Sequence, residues 1–459
     1  MFKEIQDDKK TFHSCVSVNK TWCETIIPIL WKNPWKFLKR EKEELLLNVI
    51  ISHLSEESRK NLSQSINFLK NSYQKPLFDY ISFCRHLNIN QIVRIIDTLI
   101  SFEGYKILIK NEIFNLFINE NTKFTHLYIP HQFDYQIHLI PGFEDCLSKI
   151  EFLSCDTRID DNILVGLTEI CKSIKELELI IVEEDNNNYG IVNLIKTQKK
   201  LFNISLLLEY IYDDFNESFC KILENSLAKH ANTIKHFKLI KQPTAKFLSS
   251  FVNLKTLELY DYTYNAWNSL KNLSLPYLEI LRVNKIPVRF LVSLIENTSG
   301  YLIEININNK YHMESDNRKI IQAICQNCPK LKYLRLLVRS SNILEFENLL
   351  INCQYLRELI IIIYKLGWFN WDHLFEILTK SSPVNLFKFK FDNSSIYYPI
   401  KLESLNLFFE NWKDRHPMLL QFNVKGFEDL LEKYESAGVI KKFKRFNRSE
   451  GEDFEWILK

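Results

Sequence analysis

Leu254-Lys255-Thr256-Leu257-Glu258-Leu259 reads apolar-x-x-apolar-x-apolar, and the same frame returns at "LEILRV" (Leu278–Val283) and "LIEINI" (Leu302–Ile307). The three start positions, 254, 278 and 302, are evenly spaced. Further on, "LKYLRL" begins at Leu331 and "LRELII" at Leu356, with weaker copies "LFKFKF" at Leu386 and "LLQFNV" at Leu419. In the other direction the frame falls on Phe124/Leu127/Ile129, Leu147/Ile150/Phe152, Ile174/Leu177/Leu179, Leu201/Ile204/Leu206 and Ile234/Phe237/Leu239. Most steps match the leucine-rich-repeat period of about 20–29 residues, and the longer ones need an insertion.

Amphipathic stretches separate the copies. "SFCKILENSLAKHA" places Phe219, Ile222, Leu223 and Leu227 on one helical face. "RKIIQAICQNC" does the same with Ile320, Ile321, Ile324 and Cys325, and "HLFEILTK" with Leu374, Phe375 and Leu378. "LESLNL" at Leu402 fits the strand frame by chance and continues into "FFENW", which reads as helix. One strand and one helix per repeat cannot bury their apolar faces alone, so neighbours stack into a solenoid. The expected fold class is α/β, a leucine-rich-repeat solenoid behind a short all-helical head and a helical connector. The expected boundaries are 1–36 for the head, 37–115 for the connector, 116–426 for the solenoid and 427–459 for a C-terminal helix and basic tail, the piece after a turn at Gly438 reading as a final basic strand or tail.

Composition removes several functions. The chain has 459 residues, 46% hydrophobic and 25% charged, with a net charge of +3. That balance makes no general case for nucleic acid, and no apolar run approaches the roughly 20 residues that span a bilayer. The ten cysteines follow a charged N-terminus, Met1-Phe2-Lys3-Glu4, which predicts free thiols in the cytoplasm or nucleus. Only nine glycines are present, none near another. Phosphate-binding glycine loops and the GxSxG elbow are therefore absent, and so is HExxH. Neither an enzyme nor a cofactor is expected.

Three of the eight tryptophans, Trp22, Trp31 and Trp35, lie close to the N-terminus. There the run Cys15-Val16-Ser17-Val18-Asn19-Lys20-Thr21-Trp22, followed by Pro28-Ile29-Leu30-Trp31, resembles the second half of an F-box of the fungal type. The resemblance covers residues 2–31 and joins an F-box to leucine-rich repeats, a familiar family order. The family's Leu-Pro-x-x-apolar start is absent, as though Met1 fell inside the first helix. The resemblance implies a substrate-recognition subunit of an SCF-type cullin-RING ubiquitin ligase, with catalysis left to other subunits. It implies that Phe2, Ile5, Phe12, Cys15, Val18 and Trp22 form the module that meets the Skp adaptor. The alternative is a repeat scaffold without a ligase, its first residues serving as a solenoid cap with Trp22 and Trp31 in the core.

Strand side chains alternate, so the second and third apolar positions point inward and their neighbours face solvent. This assigns Glu258, Tyr260, Arg282, Glu304, Asn306, Tyr333, Arg335, Glu358 and Lys388 to an exposed concave face, along with Glu176, Glu178 and Lys390. Tyrosine and arginine are enriched at binding hot spots, and the expected ligand is an unknown protein substrate. Other motifs read as structure. Cys325-Gln326-Asn327-Cys328 lacks a second CxxC for zinc and sits at a helix end. His13, Cys15 and Cys23 share no ligand spacing, and Glu183–Asp185 reads as a solvated loop. Lys441–Phe446 interleaves charge and aromatics but reads as a solvated tail rather than a nucleic-acid site.

Overall fold

The structure is a computed structural model that describes residues 14–65, 75–131, 133–182, 187–208, 217–240, 247–261, 273–309, 313–363, 369–393, 400–422 and 426–445. Two compact units divide between His230 and Ala231.

The first unit builds a parallel ladder of five strands: β1 (His86–Asn88), β2 (His126–Tyr128), β3 (Phe152–Asp156), β4 (Glu176–Ile181) and β5 (Asn203–Leu208). Helices Ile89–Leu99, Glu103–Phe117, Phe143–Leu147, Asp161–Ile170 and Gly190–Thr197 connect them. Short polar residues start two of these helices. Asn88 accepts from the Gln91 amide at 2.9 Å, and Asp160 accepts from the amides of Asn162 and Ile163.

The second unit repeats the scheme with β6 (His236–Leu239), β7 (Thr256–Tyr260), β8 (Ile280–Asn284), β9 (Glu304–Ile307), β10 (Tyr333–Val338), β11 (Glu358–Ile363), β12 (Lys388–Asn393), β13 (Met418–Phe422) and β14 (Ile440–Arg445). All pair in parallel with their sequence neighbours. From β8 onward a described helix follows each strand up to β13, from Val288–Glu296 to Glu428–Ser436.

The register explains the frame. Leu257, Leu281, Ile305, Leu334, Leu359 and Phe389 are cross-strand partners and all are buried. Leu259, Val283, Ile307, Leu336, Ile361 and Phe391 form the next buried row. Full burial of each such side chain contributes roughly 1.5–3 kcal/mol, and only a neighbouring repeat supplies the surface that buries it. Buried asparagines satisfy backbone groups where strands end. The Asn309 amide donates to Ile286 O at 2.6 Å and accepts from the Ile286 amide, and Asn317 donates to Leu337 O at 2.7 Å.

The ladder reaches further than the sequence frame. β1 lies within the span read as helical connector, because Cys84-x-x-Leu87-x-Ile89 keeps the frame with a cysteine in first place. At the other end, of the two forms expected after the Gly438 turn, Lys441–Arg445 takes the strand, as part of β14, with Gly438 at φ 75°. Two copies are out of step. Leu153 and Cys155 fill the core positions of β3, so Phe152 points outward. In β13 Leu420 and Phe422 align with Phe389 and Phe391, which moves the copy placed at Leu419 back by two residues. Ile222, expected on a buried helical face, is exposed.

Candidate interaction surfaces

On the strand face turned away from the helices, β7, β8 and β9 carry an ion ladder. Arg282 donates through Nη1 to Glu258 Oε1 at 3.0 Å and through Nε to Glu304 Oε1 at 2.7 Å. The register sets Glu258 opposite Arg282, and Glu304 one strand on, so the guanidinium fork spans both. Burial works against the Arg282 charge, but the bonds to Glu304 and Glu258 outweigh it and raise its pKa. His236 Nε2 lies 3.7 Å from Glu258, and Lys238 Nζ sits 5.5 Å from the Tyr260 ring centroid. Further along, Lys388 pairs with Glu358 and Arg335 donates to Asn308 at 3.3 Å.

The nine predicted residues thus share one strand face, with Asn306 opposite both Arg282 and Arg335. Their exposure differs from expectation. Tyr260, Arg282, Glu304, Asn306, Tyr333 and Glu358 are half-buried, whereas Glu258, Arg335 and Lys388 are buried, Arg335 at only 7% exposure. Strands about 4.8 Å apart bring these long side chains into mutual contact, which removes water from them. Lys390 is buried as well. Sequence alternation also missed Leu337, Ile360 and Ile362, which occupy the same outward rows yet are buried. The continuous apolar run of β11 was the available signal, since a strand covered on both faces loses its polar alternation. The accessible part of this face therefore lies on β7–β10 and the start of β11.

The head contributes a second surface. Asn19 caps helix Lys20–Trp31 by accepting from the Trp22 amide at 3.0 Å. The helix ends against β1: Trp35 Nε1 donates to His86 O at 2.8 Å, the Arg85 amide donates to Lys32 O at 2.9 Å, and the Trp31 ring lies 4.5 Å from that of Tyr80. Ile26 is the helix's one buried residue. Val18 is 61% exposed and Trp22 39% exposed, so neither is a core side chain. In the same N-terminal region an apolar groove of about 430 Å³ is lined by residues including Val16, Ile27, Leu30, Trp31, Phe37 and Leu38. Cys15 is half-buried, while Phe2, Ile5, Phe12 and His13 lie outside the described residues, as do Glu183–Asp185.

Cys328 is buried at the end of helix Glu314–Asn327, and burial pushes its thiol well above the ordinary range; Cys325 shifts the same way to a lesser degree. Such thiols make a poor redox pair. Among the described residues no group of three or more His, Cys, Asp or Glu side chains could hold a metal, and no described helix is long and apolar enough to cross a membrane.

No family model and no curated protein matches the chain. Among solved structures it is similar to the leucine-rich repeat-containing protein LegL7 from Legionella pneumophila, at 12% identity and a TM-score of 0.37, over 64% of this chain and 89% of that one. It is also similar to the complex of Rad7 and Elc1 in yeast, at 13% identity and a TM-score of 0.39, over 92% and 91% of the two chains. The ladder of parallel strands with alternating helices is the arrangement of a leucine-rich-repeat solenoid.

Proposed function

We propose that this chain is a recognition subunit: the N-terminal module docks a Skp-type adaptor, and the outward face of β7–β10 holds a protein substrate for ubiquitin transfer. The exposure of Val18 and Trp22, in a module that also holds an apolar groove, carries this reading. Two residues of the F-box-like signature lie on the surface, where a partner can cover them. The ion ladder supports the second half, since Arg282, Tyr260 and Tyr333 offer charge and ring edges of the kind found at hot spots. The chain itself supplies no chemistry in this reading. It raises the effective concentration of a substrate lysine near the transferring enzyme.

The test is calorimetric binding of a purified Skp-type adaptor to the chain and to a Val18→Asp, Trp22→Ala variant. Thermal unfolding must show that the variant's repeats remain folded. Binding lost only in the variant supports the reading. No binding by the chain itself removes the ligase role and leaves a repeat scaffold.

A further inference from the structure

The first unit carries a feature on its outward strand face that neither surface above uses. His86, His126, Phe152 and Glu176 are consecutive cross-strand partners, as are Asn88, Tyr128, Ser154 and Glu178. Their rings form a continuous platform. His86 and His126 stack at 3.7 Å and 20°, His126 and Phe152 at 5.5 Å and 24°, and Tyr128 approaches Phe152 at 4.9 Å. All four rings are half-buried, so each keeps some surface open to a ligand.

Charge divides the platform. At its β4 end stand Glu176, exposed, and Glu178, half-buried and accepting from Ser154 Oγ at 2.8 Å. Neither forms an ion pair with a described residue, whereas nearby Glu151 is already paired with Lys175 at 2.6 Å. Both carboxylates act on Tyr128, whose hydroxyl pKa is raised by burial and then by Glu178 and Glu176. The imidazoles supply no compensating positive charge. Burial lowers the pKa of both, Lys32 and Lys36 add to this at His86, and the attraction of Glu176 offsets it only in part at His126. Those two lysines stand at the His86 end and repel a cation there.

We propose that this face binds an arginine side chain of a basic peptide, with the guanidinium lying over Phe152 and Tyr128 and donating to Glu176 and Glu178. Arginine fits on three counts. Its planar cation stacks on ring faces, it loses hydration more readily than an ammonium group, and its donors point in a fixed fork. Glu176 and Glu178 are two residues apart on one strand, so their carboxylates stand roughly 6–7 Å apart. Opposite edges of one guanidinium reach across that distance. The lysines at the far end fix the direction, with the cation at β3–β4 and neutral or acidic residues of the peptide toward β1. The site uses none of the residues of the adaptor groove or the Arg282 ladder, and it stands whether or not the proposed ligase role does.

The experiment uses the full chain and a fluorescent Gly-Arg-Arg-Gly peptide at low salt, measured by anisotropy against the same peptide with citrulline in place of arginine. Citrulline keeps the shape and removes the charge. A Glu176→Gln, Glu178→Gln variant tests the carboxylates, since the amide introduced at the second position retains an oxygen for Ser154. Glu169→Gln, on an exposed helix position, controls for lost net charge. The expected result is binding of the arginine peptide that weakens about tenfold with citrulline or in the double variant, and not in the control. Absence of binding by the folded chain overturns the proposal. So does equal binding by the citrulline peptide, or by the double variant.

Discussion

Trp412 is fully buried, its ring edge-on to Phe389 at 5.2 Å and 5.6 Å from Phe408. Its indole N–H donates to His416 O at 3.0 Å, and the Arg415 guanidinium lies 4.2 Å from the ring centroid. Arg415 in turn donates to Thr379 O at 3.1 Å and Ser382 O at 2.6 Å, tying two consecutive repeats together. Trp412→Ala therefore removes ring packing and a clamp at once, and the expected loss is about 3–5 kcal/mol in chemical denaturation. A loss below about 1 kcal/mol would show that the site collapses around the gap. The cysteines make a second prediction at this scale. Seven are buried, while Cys15, Cys23 and Cys325 are half-buried. Burial pushes Cys84, Cys146, Cys171 and Cys353 up to about 12. A thiol reagent at neutral pH should label Cys15 and Cys23 first, Cys325 more slowly, and the other seven only after unfolding, as read by peptide mass mapping.

Strands β1 and β2 carry a pH dependence. His86 falls to about 3 and His126 also falls below the ordinary imidazole value of 6.5, in both cases chiefly through burial. As pH drops through 6.5 toward 3 the unfolded chain takes up protons that the native stack refuses, so native stability declines across that window. His86→Phe keeps a ring in the stack and should make the decline of the unfolding midpoint shallower. Identical pH profiles for the two proteins would contradict this.

The strand–helix repeat was legible where leucine and isoleucine hold the frame, as at Leu254 and Leu278. It was lost where cysteine stands in, at Cys84 and Cys155, because a free thiol packs as a small apolar group without looking like one in the sequence. Helix Leu402–Glu410 was readable because its apolar run continues past the strand frame. Which side chains share the outward face followed from alternation, but how far each is exposed did not. Arg335 and Ile360 depend on what neighbouring strands place beside them. The ring platform was hidden for a related reason: its members lie far apart in sequence, and the repeat frame puts Phe152 on the inner side.

For the whole molecule, the proposed adaptor contact falls on one unit and the proposed substrate contact on the other. Arg282 links these scales. Its loss leaves Glu258 and Glu304, on the strands either side of β8, without their shared cation, and Arg282→Met should destabilise the second unit by about 1–2 kcal/mol, less than a fully buried pair because the guanidinium keeps some contact with water. Added salt should narrow the difference by screening the two carboxylates.

The most direct measurement is hydrogen–deuterium exchange of the full chain with and without a purified Skp-type adaptor. Adaptor docking on the head predicts new protection across residues 14–31 and the groove beside them, with exchange over β7–β10 unchanged and that face left open for substrate. Protection centred on β7–β10, or none anywhere, would contradict it.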